Sequence, residues 1–279
     1  MGVLFAVLRR DLEMTKYSWG VVAALVVSGI AASAQAAPLM PDYSALPAGW
    51  VTDRYDPNSF SNVGTYQGRD NVLGIGITPA EGYNNRIGGF QNTFYNTQGR
   101  QHAISGGAGS TLSADIYIPQ DWSNPLNGSR RTDMWGVMTD GSSVTDYPII
   151  GFTNYGGAPR LRLWDDVNWV DLVLPVSYDT WTSLEIKYTG TAYEYLINGS
   201  TVYTDLTING STGFSATIMQ AYNFCGDPSI PDGVCSSYIA HWANTQVPEP
   251  ATLAVLGMGL LGLGMIRRRD LMTKLIKTA

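Results

Sequence analysis

Apolar and polar residues alternate through the middle of the chain, which is the pattern of strands with one buried and one solvent-facing side. The clearest case is residues 183–204, where folding the chain at 190–191 pairs Lys187 with Glu194 on the outer face. Asn198-Gly199, a preferred type I′ hairpin turn, then sends Val202 back opposite Tyr195. The segment therefore predicts a three-stranded antiparallel meander. Its inner face holds the apolar pairs Leu184 with Ile197, Ile186 with Tyr195, and Tyr188 with Tyr193.

Other segments of the same region combine short apolar runs with turn residues at their ends. They are residues 72–78, 112–118, 147–152, 160–164, 170–174, 216–221 and 238–242. No ten-residue stretch between residues 37 and 246 has the apolar spacing of a helix. Many short strands with frequent turns predict one antiparallel β-sandwich or barrel domain over residues 37–246.

Two longer apolar runs flank this domain, and the first covers residues 19–32. It follows Lys16 and leads into Ala34-Gln35-Ala36. A basic start, a short apolar core and a small-x-small exit describe a secretory signal peptide. We expect cleavage after Ala36, so residues 1–36 would be removed. Met14 is an alternative start that gives a signal peptide of more ordinary length.

The second apolar run covers residues 251–266 and is followed at once by three arginines at 267–269. As a helix it spans roughly 24 Å, less than the ~30 Å hydrocarbon core of a bilayer. Clustered arginines stay cytoplasmic, which places residues 37–246 on the far side of the membrane and residues 270–279 in a cytoplasmic tail. The sequence therefore predicts a short transmembrane helix that tethers the domain to the inner membrane only transiently.

The Pro-Glu-Pro segment, the Gly/Leu-rich run and the arginines resemble the PEP-CTERM sorting signal over residues 247–269. The resemblance implies recognition by an exosortase, a membrane cysteine protease of exopolysaccharide-producing Gram-negative bacteria. Such an enzyme would cut near residues 248–250 and release the domain to the cell surface or the extracellular matrix. Signals of this family usually end at the arginines, and here the tail 270–279 continues. The predicted sorting residues are Val247, Pro248, Glu249, Pro250, Arg267, Arg268 and Arg269.

Composition narrows the classes of protein further. The chain is only 14% charged and contains 8 Trp and 16 Tyr, whereas disordered proteins are rich in charge and poor in aromatic residues. Residues 37–246 hold nine Lys and Arg against 19 Asp and Glu, a net charge of −10. This balance excludes nucleic acid as a partner, because phosphate binding needs clustered Lys and Arg.

Both cysteines, Cys225 and Cys235, lie in the exported domain and bracket a nine-residue loop. Export to an oxidising compartment favours a disulfide between them. Closing so short a loop stabilises the fold by about 2–3 kcal/mol in the chain-entropy model. The alternative is a reactive thiol, for which only His102 and His241 are available as bases in the whole chain.

Trp181, the alternating strand after it, the tyrosine-rich strand 193–197 and the Asn198-Gly199 turn resemble the laminin-G-like and concanavalin-A-like jelly rolls. The resemblance covers residues 181–202 and implies a two-sheet antiparallel jelly-roll sandwich. Members of these families bind glycans or proteins, sometimes through Ca²⁺, and some hydrolyse polysaccharides.

The sequence offers little for catalysis. Glycoside hydrolysis needs two carboxylates beside the scissile bond, roughly 5–10 Å apart, and the hydrolytic jelly rolls carry them in a Glu-x-Asp-x-Glu strand that this domain lacks. Its glutamates are isolated, and three clustered aspartates have turn formation as their simpler role. With two histidines and no Gly-x-Ser-x-Gly elbow, neither a Ser–His–Asp triad nor a zinc site is predicted. These acids are Glu81, Glu185 and Glu194, and Asp165, Asp166 and Asp171.

A hairpin around residues 164–169 is the best candidate ligand site. A tryptophan stands at each end of its turn, and two arginines alternate on one face of the strand before it. Aromatic side chains with a polar edge suit sugars, whose apolar ring faces stack on them while Asp, Asn and Arg bond the hydroxyls. The alternative is that both indoles belong to the core. The candidate residues are Trp164, Trp169, Arg160, Arg162, Asp165, Asp166 and Asn168.

No cofactor is predicted, and calcium stays open. Calcium takes oxygen ligands from carboxylates and carbonyls, and the candidates are the Asp165-Asp166 turn and the loop with Asp227 and Asp232. Neither segment has EF-hand spacing. The other tryptophans considered are predicted in the core or at sheet edges, namely Trp50, Trp122, Trp135, Trp181 and Trp242.

The sequence thus predicts an exported protein of the cell surface or extracellular matrix, built on an antiparallel jelly roll. A non-catalytic structural or glycan-binding role is favoured, with exopolysaccharide as the candidate partner. The alternative is a glycoside hydrolase or lyase of the concanavalin-A-like class. Paired carboxylates within ~10 Å in a groove would favour the enzyme, and an aromatic strip without them would favour binding.

Overall fold

The computed structural model describes residues 39–245, which form two antiparallel β-sheets. The strands in chain order are β1 Trp50–Thr52, β2 Ser59–Asn62, β3 Leu73–Ile77, β4 Thr97–Gly106, β5 Thr111–Ile118, β6 Arg131–Thr139, β7 Val144–Asp146, β8 Ile149–Thr153, β9 Arg160–Trp164, β10 Trp169–Asp171, β11 Thr180–Tyr188, β12 Tyr193–Ile197, β13 Ser200–Asp205, β14 Gly213–Tyr222 and β15 Tyr238–Asn244. Short 3-10 helices lie in the connections at Tyr43–Ala45, Pro79–Glu81, Tyr83–Asn85, Thr93–Asn96, Gln120–Ser123 and Pro125–Asn127.

The predicted two-sheet antiparallel jelly-roll sandwich is confirmed. Sheet A runs in the order β1-β4-β14-β6-β8-β9-β10, with β7 also paired to β6, and sheet B runs β13-β12-β11-β5-β15-β3-β2. Alternate side chains of each strand point between the sheets, and fully burying an apolar one stabilises the fold by about 1.5–3 kcal/mol. Phe152 from sheet A and Trp242 and Ile116 from sheet B are fully buried in this core.

The meander has the predicted register between β11 and β12, including the three apolar pairs on the inner face. Lys187 Nζ lies 2.8 Å from Glu194 Oε2 on the outer face. Asn198 and Gly199 have positive φ angles of 50° and 75°, as a type I′ turn requires. The prediction for Val202 is wrong, because Tyr195 pairs with Tyr203. A β-bulge at this point leaves Val202 as an extra residue of β13.

Two long strands of sheet A, β4 and β6, were not among the strands predicted from the sequence. In β4 the side chains turned toward the core include Arg100, which packs over Phe60 at 5.7 Å, and His102, whose ring lies 5.3 Å from Trp50. Polar residues at inward positions remove the alternation that reveals a strand.

The predicted strand 170–174 is too long at its C-terminal end. β10 ends at Asp171, and residues 172–174 lie beyond it.

The predicted disulfide is present between Cys225 and Cys235, in the connection from β14 to β15. The two ends of the described chain lie side by side, because Asn244 Nδ2 donates to the carbonyl of Pro41. None of the helices in residues 39–245 is long and apolar enough to cross a membrane. The predicted signal peptide, the sorting residues, the apolar helix 251–266 and the tail 270–279 lie outside the described residues.

Candidate functional site

The outer side of sheet A, turned away from sheet B, collects polar and aromatic side chains from five strands. Residues that pair across antiparallel strands project to the same side of a sheet. The register gives three rows across these strands: Trp135, Ile149, Trp164 and Trp169 in the first, Gln220, Asp133, Gly151, Arg162 and Asp171 in the second, and Arg131, Thr153 and Arg160 in the third. We call this surface the Arg–Trp face.

Trp164 and Trp169 pair across the β9–β10 hairpin on this face. Their ring centroids are 5.5 Å apart, with the ring planes inclined at 60°. Both indoles are partly exposed, whereas Leu161 and Leu163, which alternate with the outward residues of β9, are buried. Neither indole therefore belongs to the core, and both present ring surface to the solvent.

Arginines pack against the indoles along the first row. The Cζ atoms of Arg162 and Arg131 lie 3.7 Å and 4.8 Å from the ring centroid of Trp169. Further along the row, Arg54 from the loop after β1 packs over Trp135 at 4.6 Å. Each cation–π contact of this kind contributes about 0.5–2 kcal/mol and fixes the orientation of the ring. These contacts hold the indoles of Trp169 and Trp135 in place.

The carboxylates of the Arg–Trp face are neutralised by arginines. Arg131 Nε lies 2.7 Å from Asp133 Oδ2, and Arg160 Nε lies 2.7 Å from Asp171 Oδ1. The Gln220 side-chain amide also donates to Asp133 Oδ2. The Asp133 carboxylate lies against Gly151, where a Cβ atom would collide with it. This glycine makes room for a fully buried acid.

Several buried polar atoms of the face have no hydrogen-bond partner within residues 39–245. They are Arg162 Nε, Asp133 Oδ1, Gln220 Oε1 and Trp135 Nε1. Burial and the nearby Arg131 lower the pKa of Arg162 to about 10, against the opposing effect of Asp133 and Asp171. Buried polar atoms are normally satisfied, because an unmade hydrogen bond costs about 1–3 kcal/mol. Two donors and two acceptors of this face therefore lack a partner among residues 39–245.

Two clefts adjoin the residues of this face. The larger, of about 500 Å³, is lined by Arg160, Asp171 and the loops at 156–159 and 172–175. The other, of about 380 Å³, is lined by Arg54, Phe90 and their neighbours. An extended ligand lying along the first row would have space beyond the tryptophans.

A pair of catalytic carboxylates is not found on this face. Asp133 and Asp171 lie three strand spacings apart in the register, roughly 14 Å between their Cα atoms. The glutamates lie elsewhere: Glu194 pairs with Lys187 on sheet B, next to Glu185 on the same sheet. Glu81 accepts hydrogen bonds from Asn58 and Thr78. The acids that flank a scissile glycosidic bond are therefore not assembled among the outward residues of sheet A.

The predicted ligand residues Asp165, Asp166 and Asn168 form the turn between β9 and β10. Asp165 Oδ1 accepts from the backbone N–H groups of Val167 and Asn168, which lowers its pKa. Asp166 has φ 71° and accepts from the Asn209 side chain at 2.7 Å. The turn holds the hairpin closed, and it is Trp164, Trp169, Arg160 and Arg162 that reach the Arg–Trp face.

The second calcium candidate is also occupied by protein donors. Asp227 accepts from Tyr222 Oη at 2.6 Å and from the Ser229 backbone at 2.9 Å. Nowhere in residues 39–245 do three or more His, Cys, Asp or Glu side chains group in a way that could hold a metal ion. Both histidines pack against aromatic rings, His102 against Trp50 and His241 against Tyr66.

Sequence reasoning missed half of the Arg–Trp face. Arg131, Asp133 and Trp135 alternate along β6 and point to the same side, a spacing of two that could have been read from the sequence. Trp135 and Trp181 lie on the outer faces of central strands, so their predicted place in the core or at a sheet edge is wrong. Trp50, Trp122 and Trp242 are in the core as predicted.

The fold and this face together define an antiparallel jelly-roll protein with an outward-facing strip of arginine and tryptophan. Residues 246–269 match the PEP-CTERM protein-sorting motif. The match confirms the sorting signal recognised at residues 247–269, and it marks the chain as an exported protein processed by an exosortase. The sequence matches none of the curated proteins.

Solved structures with similar folds are named for glycan chemistry. A Bacillus licheniformis beta-glucanase is 12% identical, with a TM-score of 0.43, covering 74% of this chain and 96% of that one. A carbohydrate-binding module from Bacillus subtilis is 11% identical, with a TM-score of 0.35 and coverages of 70% and 92%. A sialidase is 10% identical, with a TM-score of 0.44, and the matched region covers 72% of this chain but only 17% of that chain. These TM-scores are too low to decide a ligand or an activity.

Proposed function

We propose that this protein is a non-catalytic glycan-binding protein of the cell surface or extracellular matrix, and that it binds exopolysaccharide through the Arg–Trp face. The observation that carries the proposal is the combination of two partly exposed indoles with buried polar atoms that lack partners. An apolar ring face can stack on Trp164 and Trp169, while hydroxyls reach the polar atoms between them.

The electrostatics of the face favour binding over hydrolysis. A general acid needs a raised pKa, and its partner carboxylate must lie within about 10 Å. Asp133 and Asp171 are separated by two intervening strands, and each is ion-paired to an arginine at 2.7 Å. The hydrolase or lyase alternative therefore has no assembled acid pair on the face where the indoles would hold a sugar.

The position of the last strand fits release by an exosortase. β15 ends at Asn244, two residues before the matched sorting motif begins. Cleavage near residues 248–250 would leave every described strand in the released domain. We propose that the apolar segment 251–266 tethers the chain to the inner membrane until that cleavage, after which the domain joins the cell surface or matrix.

The test uses the purified full-length chain and a panel of immobilised polysaccharides. The Trp164→Ala variant should bind at least tenfold more weakly than wild type, because one stacking platform is gone. Trp181→Ala is the matched control, since it removes an indole from the outer face of sheet B, and it should bind as wild type does. Circular dichroism establishes that both variants are folded before binding is compared.

Two results would overturn the proposal. One is equal retention of Trp164→Ala and wild type on every polysaccharide that is bound. The other is release of reducing ends or unsaturated sugars from a bound polysaccharide, which would make the protein an enzyme.

A further inference from the structure

The Arg–Trp face carries one more positive charge than its acids balance. Arg131 is paired to Asp133, and Arg160 is paired to Asp171. Arg162 lies opposite Asp171 and next to Gly151 in the register, yet its Nε has no hydrogen-bond partner within residues 39–245. Its guanidinium packs on the Trp169 ring, with Cζ 3.7 Å from the ring centroid. The excess charge is therefore concentrated at Arg162, on a domain whose net charge is −10.

This arginine is unfavourable for the stability of the free protein. Arg162 is only 9% exposed. Burial disfavours the guanidinium charge and the nearby Arg131 and Arg160 repel it, and these effects together exceed the attraction of Asp133 and Asp171. An apolar side chain of similar length would pack against Trp169 without these penalties. A guanidinium in this position is accounted for if the face receives a negative charge from outside.

The unpaired polar atoms around Arg162 indicate which chemical groups such a ligand would carry. The unpaired Arg162 Nε is a donor, whereas the unpaired Asp133 Oδ1 and Gln220 Oε1 are acceptors. An anionic group can accept from the guanidinium, and neighbouring hydroxyls can donate to the two acceptors. A sugar ring that carries both a carboxylate and hydroxyl groups offers this set, with its apolar face free to stack on an indole.

We propose that the Arg–Trp face binds an acidic polysaccharide, with the carboxylate of a uronic acid unit held by Arg162. The inference rests on the proposed glycan-binding function and names the class of glycan. A guanidinium presents parallel N–H donors that match the two oxygens of a planar carboxylate. The cleft of about 500 Å³ that Arg160 and Asp171 line would receive the unit beside Arg162, which pairs with Asp171 in the strand register. The Trp169 ring covers the guanidinium on its other side.

The test compares alginate, a polymer of uronic acids, with the same polymer after its carboxyl groups are reduced to hydroxymethyl groups. The purified full-length chain should bind alginate at least tenfold more tightly than the reduced polymer, and added salt should narrow the difference. Arg162→Met should bind alginate no better than the reduced polymer, while its binding of the reduced polymer is unchanged. Arg100→Met is the control, because it removes an arginine that is paired to Asp56 outside this face.

A second readout separates a ligand-binding role from a structural one. If Arg162 is held for a ligand, Arg162→Met should unfold at the same temperature as wild type or higher. A clear drop in that temperature would show that Arg162 stabilises the fold, and would count against the inference.

Failure of this inference and failure of the proposed function give different results. Equal binding of alginate and reduced alginate, with no effect of Arg162→Met, overturns the acidic specificity and leaves glycan binding in place. Binding of a sulfated polymer instead of alginate overturns the assignment to a carboxylate. Absence of binding to every polysaccharide overturns the proposed function itself.

Discussion

The outer faces of the two sheets contain the same kinds of residue but differ in what packs over them. On sheet B, Tyr117, Trp181 and His241 lie in one row of the register. The loop between β2 and β3 covers this row: Tyr66 stacks on His241 with ring centroids 3.9 Å apart, and the Gln67 carbonyl accepts from Trp181 Nε1 at 2.9 Å. We call this row the capped face.

On the Arg–Trp face of sheet A, Arg54 packs over Trp135, whereas Trp164 and Trp169 pack against each other across the β9–β10 hairpin. Trp181 Nε1 on the capped face has a backbone partner, whereas Trp135 Nε1 on the Arg–Trp face has none within the described chain. The comparison indicates that aromatic and charged side chains on an outer face do not by themselves mark a binding site. What distinguishes the two faces is the loop that packs over Trp181 and bonds its indole, since unpaired buried polar atoms occur on both faces: His241 Nδ1 of the capped face also has no hydrogen-bond partner within residues 39–245.

The largest effect is expected from the buried ion pair of the Arg–Trp face. Asp133→Ala should lower the free energy of unfolding by about 3 kcal/mol, because it leaves Arg131 without its partner at a buried position. Asp171→Ala, whose side chain is 52% exposed, should cost less than about 1 kcal/mol. Urea denaturation of both variants measures the difference, and equal losses would contradict the assignment of Asp133 as a buried acid.

The capped face should depend on its indole for stability. Trp181→Ala should lower the free energy of unfolding by about 2 kcal/mol, because the ring packs against Tyr66 and Tyr117 and bonds the Gln67 carbonyl. Trp164→Ala on the Arg–Trp face should cost about 1 kcal/mol, since its ring has one aromatic neighbour, Trp169, where Trp181 has two. If Trp164→Ala proved the more destabilising of the two in urea denaturation, the distinction between the faces would fail.

The capped face should also weaken in acid. Burial lowers the pKa of His241 to about 4, below the 6.5 of an unfolded chain. The unfolded state therefore binds the proton first, and the stability that neutral His241 contributes is present above about pH 6.5 and lost as the pH falls toward 4.

His241→Phe tests this pH dependence, because phenylalanine keeps a ring against Tyr66 and cannot take a proton. Relative to wild type, the variant should gain about 1–2 kcal/mol between pH 7.5 and pH 4.5, a value reduced for the partial exposure of the histidine. Thermal or urea unfolding at the two pH values measures the gain. An unchanged difference between the two proteins would mean that His241 is not held neutral by the cover.

The smallest effect is expected where charge is exposed on sheet B. Lys187 and Glu194 lie 2.8 Å apart with 40% and 30% of their side chains exposed. Glu194→Gln should change the free energy of unfolding by less than about 1 kcal/mol, although the ion-pair distance matches that of Arg131 and Asp133. A loss near that of Asp133→Ala would mean that burial does not set the strength of these pairs.

The pairing of strands that are consecutive in the chain was the part of the fold that the sequence predicted best. β11 and β12 are joined by a short turn, so one register places Leu184, Ile186 and Tyr188 against their partners and any slip would bring polar residues to the core. The order of the remaining strands could not be read in this way. β14 lies between β4 and β6, and both of these strands are far from β14 in the sequence. That pairing depends on the whole core.

Of the candidate site, the sequence placed the hairpin residues and left out the strand beside them. Arg160, Arg162, Trp164 and Trp169 were found because they are adjacent in sequence. Asp133 and Gln220 join them only through the register of β14, β6, β8 and β9. No local sequence pattern indicates that the buried Asp133 lies beside the side-chain amide of Gln220, 87 residues away.

The sequence by itself determined the features that depend on short stretches: the alternating strands, the disulfide between Cys225 and Cys235, and the sorting motif at the C-terminal end. Only the tertiary structure decided which outer face is covered and which is left open. The physical reason is that a period of two separates the two sides of a strand, but covering the outer side depends on a loop or ligand that comes from elsewhere. On sheet B the loop with Tyr66 covers the row of Trp181 and His241, and on sheet A the pairing of four strands brings Asp133 and Gln220 beside Arg162.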